Sequence, residues 1–195
     1  MNTYQKHLVP GCYYHIYNRG NNREVIFKKP ENYAYFLHLW KKYITPVADT
    51  LCYCLLPNHF HFFIRVKEDN ANNTEQNVHT ITKNKPLSKH FSNLFNAYAK
   101  AINKKYNRVG SLFQENFKRK EIINNSYYTH LIAYIITNPV KHGICNSSAN
   151  YPHSAYKSLL SDKPTLLLRD EVINWFGSKK GFVDYIRNYE AGLQI

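Results

Sequence analysis

Thr50-Leu51-Cys52-Tyr53-Cys54-Leu55-Leu56 and His59-Phe60-His61-Phe62-Phe63-Ile64-Arg65-Val66 are two short apolar runs flanking Pro57-Asn58. Strand-length runs separated by turn residues predict a β-hairpin. Residues two apart in a strand share a face, so His59 and His61 project together while Phe60, Phe62 and Ile64 project to the other side. Two neutral imidazoles side by side are half of a divalent-metal site. Cys52 and Cys54 on the partner run open a second reading, structural zinc, which depends on the loop between the runs. A three-residue loop at 56–58 sets both cysteines opposite Phe60 and Phe62, away from the histidines, and an even loop reverses this. Pro57, with φ held near about −65°, disfavours the primed two-residue turns, so the odd loop is expected.

The flanking elements complete the pattern. Residues 11–18 are aromatic and β-favouring, and they stop at the turn-rich, basic Asn18-Arg19-Gly20-Asn21-Asn22, which predicts a first strand. From Pro30 to about Ile44, the residues Tyr33, Phe36, Leu37, Trp40 and Tyr43 or Ile44 recur at helical spacing, with Pro30 suited to a first turn. Residues 69–86 are Asn-rich and weakly patterned and predict a long loop. Phe91, Leu94, Phe95, Tyr98 and Ile102 mark a second amphipathic helix over 87–106, with Lys89, Lys100, Lys104 and Lys105 on its other face. A strand is expected from Ser111 to Ile123, then a third helix from Ser126, as N-cap, to Thr137, stopped by Pro139. Helices near 170–176 and 182–189 follow.

Strand, helix, strand, strand, helix, strand is the βαββαβ order of an α+β, ferredoxin-like antiparallel sheet with both helices on one face. The other face is left for a ligand. The expected division is a core at 1–145 bearing the third helix, and a C-terminal helical extension at 146–195 packed on the same domain.

Of 195 residues, 26 are Lys or Arg and 13 Asp or Glu, a formal charge of +13. Residues 161–195 hold five of each sign, so the whole excess lies in residues 1–160. A basic body with 17 Tyr and 11 Phe offers cations for phosphates and flat rings for unpaired bases. Tyr14 and Phe113 are rings of the kind that stack a base or fill a core. No apolar run reaches membrane-spanning length and the N-terminus lacks a signal-peptide pattern. With four unevenly spaced cysteines, this predicts a cytoplasmic protein, nucleoid-associated when bound to DNA, with free thiols.

Tyr134-Ile135-Ile136-Thr137-Asn138-Pro139-Val140-Lys141-His142-Gly143 is the second chemical signal. Tyr134 and Asn138 are four apart and share a helix face. A phenol, with an ordinary pKa near about 10, attacks phosphorus only when loss of its proton is assisted and the phosphate charge is neutralised. A divalent cation on His59 and His61 would do the second by polarising a non-bridging oxygen. The Asn138 carbonyl is a candidate third ligand, and Lys141 or His142 a candidate phosphate contact.

Together and in this order, Pro57-Asn58-His59-Phe60-His61 and the Tyr134–Gly143 string resemble the single-tyrosine HUH transposases, in particular their REP-associated branch. Tyr17-Asn18-Arg19-Gly20, Gly110-Ser111-Leu112-Phe113-Gln114, Phe117-Lys118 and Tyr151-Pro152 with Ser154 and Tyr156 fit too, so the resemblance spans roughly 8–160. It implies a transposase that nicks and rejoins single-stranded DNA with Mg or Mn. Tyr134 would be the nucleophile, forming a 5′-phosphotyrosine adduct, and His59, His61 and Asn138 the metal ligands. Asn138 stands where insertion-sequence members commonly carry Gln. The implied partners are DNA hairpins formed by palindromic repeats, with Arg19, Arg65, Lys118, Arg119 and Lys120 as candidate backbone contacts. The insertion-sequence branch is dimeric, whereas REP-associated members with an extension can be monomers, so monomer and homodimer both stand. Two rivals accompany this reading: a domesticated module that binds a DNA or RNA hairpin without cleavage, and a metal-dependent phosphodiesterase that uses water.

Overall fold

The computed structural model describes residues 7–68 and 86–193; the predicted loop at 69–86 lies almost wholly outside them. Four strands, β1 (Tyr13–Arg19), β2 (Ala48–Leu56), β3 (His59–Val66) and β4 (Lys118–Glu121), form one sheet in the order β2-β3-β1-β4. Every pairing is antiparallel. With α1 (Pro30–Tyr43) after β1 and α2 (Ser88–Lys105) after β3, the chain has the α+β, βαββαβ topology predicted.

The two core helices cover one sheet face. Leu55, Phe60, Phe62 and Ile64 meet Phe36 and Trp40 of α1 and Phe91, Leu94, Phe95 and Tyr98 of α2 in one buried cluster. Trp40 stacks on Phe62 with centroids 3.5 Å apart, and each fully buried ring of this kind contributes about 1.5–3 kcal/mol. The α2 periodicity matches burial residue for residue. In α1, Leu39 is buried in place of Leu37.

The opposite face is not free for a ligand, as its expected vacancy required. Helix α3 (Tyr128–Lys141) and the C-terminal helices α4 (Tyr156–Leu160), α5 (Arg169–Trp175) and α6 (Lys179–Ala191) bury Leu131, Ile135, Leu159, Val172, Phe182 and Ile186 against Leu51, Cys52, Cys54, Leu56 and Phe63. The corner around Tyr17, His59 and His61 stays open as a cleft.

Local expectations are corrected at the hairpin turn, at the fourth strand and at both ends of α3. The hairpin turn holds two residues, because Leu56 pairs with His59 and Cys54 with His61, so the cysteines share the histidines' face. The turn is not a primed one, since neither Pro57 nor Asn58 has a positive φ. It is pinned instead from outside: Ile26 N and Phe27 N donate to Pro57 O at 2.7 and 2.9 Å, and Gly20 N donates to Asn58 O at 2.8 Å. The strand expected from 111 to 123 shrinks to the four residues of β4; the stretch before it is held by an isolated Gly20–Phe113 bridge just past β1 and by Gln114 N donating to Arg19 O of β1 at 2.9 Å.

Helix α3 starts two residues after Ser126, in a turn capped by Asn124, whose Oδ1 accepts from Ser126 N. It also passes through Pro139. A proline so near the end removes one helical hydrogen bond, and the helix closes at Gly143 (φ +65°), where Gly143 N donates to Val140 O and Ile144 N to Pro139 O. That pair of bonds is the Schellman closure, which calls for a residue tolerant of positive φ. Among the described residues no helix is long and apolar enough to cross a membrane.

Candidate functional site

The ladder that pairs Arg19 with His59 and Tyr17 with His61 brings the open ends of β1 and β3 together. Lys118 lies opposite Tyr17 on the edge strand. Helix α3 crosses above and supplies Tyr134, Asn138 and, from its end, His142. These side chains, with Asn18 and Gln114, line a cleft of about 470 Å³. The stretch at 112–114 forms its rim through Asn21 N to Leu112 O at 3.0 Å and Gln114 N to Arg19 O at 2.9 Å.

Tyr134 stands edge-on to His61, with ring centroids 5.7 Å apart, and Lys141 Nζ lies 5.3 Å from the Tyr134 ring centre. His59 and His61 are 5.2 Å apart and nearly perpendicular, and His142 is 5.0 Å from His59. Arg19 reaches the cleft with a buried Nε that has no hydrogen-bond partner. No Asp or Glu is among the cleft residues, so the lining is electropositive.

Burial holds the imidazoles neutral. It pushes His59 down to about 4, helped by the positive fields of His142 and Arg19. His61 is driven well below the usual histidine value by burial first and then by neighbouring positive fields, beginning with His15. His15 is pushed down to about 3 by burial and the charge of Lys120. Uncharged rings keep lone pairs for a cation.

The donor set fits one. His59 Nδ1 lies 2.7 Å from Asn58 Oδ1; a carbonyl oxygen only accepts, so Nδ1 carries the proton and Nε2 is a lone pair. Asn138 Nδ2 donates to Tyr134 O at 2.6 Å, which leaves its amide oxygen as the free end, and the Asn138 side chain is within hydrogen-bond reach of His59. Among the described residues no three His, Cys, Asp or Glu side chains gather to hold a metal, so a third protein donor beside the histidine pair would be another oxygen, and the Asn138 amide lines the same cleft. Imidazole nitrogens and an amide oxygen are both donors that divalent cations accept. Cys52 and Cys54 are sealed in the apolar cluster under α3, and no Cys/His tetrad of the kind that the zinc reading needs gathers among the described residues.

Six of the nine predicted site residues share this region: Tyr134, His59, His61, Asn138, Arg19 and Lys118 line the cleft. Lys120 is exposed on the same side of β4, its Nζ 5.8 Å from the Tyr127 ring centre. Arg119 alternates to the other side, with its guanidinium 5.2 Å from the Phe117 ring centre. Arg65 lies outside the cleft, at the far end of β3, where its guanidinium bonds to Asp49 at 3.3 Å and Glu171 at 3.0 Å. Tyr14 and Phe113 are core residues; Tyr17 lines the cleft beside Tyr134. His15 escaped sequence reasoning altogether, hidden in an aromatic strand, although its spacing of two from Tyr17 already placed both on one face.

An α+β sheet with a tyrosine-bearing helix laid over two strand histidines is the class of architecture that these elements define. A solved REP-associated tyrosine transposase bound to a REP hairpin has the same fold: TM-score 0.61 and 16% identity, covering 84% of this chain and 89% of the other. A bacterial tRNA(His) guanylyltransferase-like protein aligns over 77% of this chain at 14% identity, with TM-scores of 0.44 in complex with ATP and 0.41 with GTP, too low to carry an argument. No family model matches the chain, and neither does any curated protein.

Proposed function

We propose that this chain is a metal-dependent DNA transposase that nicks and rejoins single-stranded DNA at hairpin sites through a 5′-phosphotyrosine intermediate. The observation that carries the reading is the convergence of Tyr134 with His59, His61 and Asn138 in one electropositive cleft. The fold shared with a hairpin-bound tyrosine transposase supports it.

A divalent cation, Mg or Mn, held by His59, His61 and Asn138 would supply Lewis-acid polarisation of a non-bridging phosphate oxygen. The protein's own groups do the rest. Arg19 and Lys118 draw the phosphate into the cleft, and the α3 backbone presents the phenol to it. The Tyr134 oxygen bonds to phosphorus as the bond from phosphorus to the 3′ oxygen breaks. The phenolic proton passes to solvent, and the departing oxygen takes up a proton to end as a 3′-OH. A 3′-OH attacking the phosphotyrosine reverses the step and rejoins a strand. Hairpins of palindromic repeats are the partner, engaged by a monomer or a homodimer.

The test is a denaturing gel of protein incubated with single-stranded hairpin oligonucleotides from the flanks of its own gene, with Mg or Mn, with EDTA, and with Tyr134→Phe alongside. A metal-dependent protein–DNA adduct that disappears in Tyr134→Phe is expected. Cleavage without an adduct in both proteins would point to hydrolysis by water, and hairpin binding with no cleavage to a binding module; either outcome overturns the proposal.

A further inference from the structure

His15 and His61 lie on neighbouring strands, offset diagonally by the ladder that pairs His15 with Phe63 and Tyr17 with His61. Their rings are 5.1 Å apart and nearly parallel, with His15 Nε2 2.9 Å from His61 Nδ1. Both side chains are buried, at 7% and 6% exposure. Tyr134 meets both rings edge-on, at 6.1 and 5.7 Å.

Two neutral imidazoles joined through one nitrogen each share a single proton along that line, and only two arrangements exist. If His15 Nε2 donates, His61 carries its own proton on Nε2, and that nitrogen has no lone pair for the cleft. If His61 Nδ1 donates to His15, His61 Nε2 presents a lone pair. A ligating histidine commonly hands its second N–H to an acceptor that fixes its tautomer and aims its ring. For His59 that acceptor is Asn58 Oδ1, at 2.7 Å. His15 Nε2 occupies the equivalent position for His61.

We infer that His15 is a positioning residue that accepts the His61 Nδ1 proton, holding His61 as the Nε2 donor to the cation. The inference rests on the metal reading above, and the experiment separates the two. Mn²⁺ binding to the full-length protein, without DNA, is measured by calorimetry for wild type, His59→Ala, His15→Phe and His15→Gln. Glutamine places an acceptor oxygen near where His15 Nε2 stands, whereas phenylalanine fills the space without one. Loss of the acceptor is expected to weaken Mn²⁺ binding by about 10- to 100-fold in His15→Phe, with His15→Gln recovering most of it.

Ring ¹⁵N spectra of the Mg²⁺-loaded wild type give a readout that needs no variant to fold, and the His61 proton is expected on Nδ1. Wild-type affinity in His15→Phe, or a His61 proton on Nε2 in the loaded protein, overturns the role of His15. An absence of Mn²⁺ binding in wild type, or binding unchanged in His59→Ala, overturns the underlying metal reading and this inference with it.

Discussion

Arg19 and Arg65 carry the same charge at opposite ends of one ladder: Arg19 pairs with His59, and Arg65 with Tyr13. Their surroundings set them apart. Arg65 is answered within the chain by Asp49 and Glu171, whereas Arg19 faces a cleft without a carboxylate. Arg19→Ala is therefore expected to weaken hairpin binding and to reduce the slope of log affinity against log salt by about 0.7–0.9, the value of one phosphate contact, with little change in stability. Arg65→Ala should leave that slope unchanged and cost about 1 kcal/mol or less, since the ion pairs it breaks are partly exposed. Salt-titrated binding and urea unfolding of both variants check the pair. The sequence marked the two arginines alike, because a charge's partner across 106 residues is invisible in one dimension.

Elements that bury a regular stripe were legible, and elements held by contacts from elsewhere were not. The α2 stripe was read correctly because helical period and burial coincide over five turns' length. The hairpin turn was misjudged because its two residues are stabilised by backbone donors from Gly20, Ile26 and Phe27, which outweigh the local preference of Pro57. Gly20 is the sensitive point of this arrangement. Its φ of −61° suits any residue, but a Cβ there would lie 2.1 Å from Glu24 O. Gly20→Ala must push the 21–24 turn away and disturb both the turn at 57–58 and Arg19 beside it. We expect a loss of about 1–3 kcal/mol in urea unfolding together with reduced hairpin affinity. Gly143→Asn, where the φ is positive but no atom lies within 4 Å of the added Cβ, should cost less than Gly20→Ala.

Across the whole molecule, the C-terminal helices belong to the core as much as the βαββαβ unit does. Phe182 of α6 and Phe62 of β3 are both fully buried, one on each side of the sheet. Phe182→Ala and Phe62→Ala are each expected to cost about 3–5 kcal/mol, and fluorescence and circular dichroism should report one shared unfolding transition. Two separated transitions would mean that the extension is a domain apart.

The sequence by itself determined the topology, the helix stripe and the histidine and tyrosine strings, because period, turn residues and local spacing are properties of neighbours along the chain. Only the tertiary structure decided that the second sheet face is covered, that the cysteines share it with the histidines, that Arg65 is spent on an internal ion pair, and that His15 stands behind His61. Each of these depends on which distant residue arrives within a few ångströms, and that is set by the packing of sheet and helices as a whole.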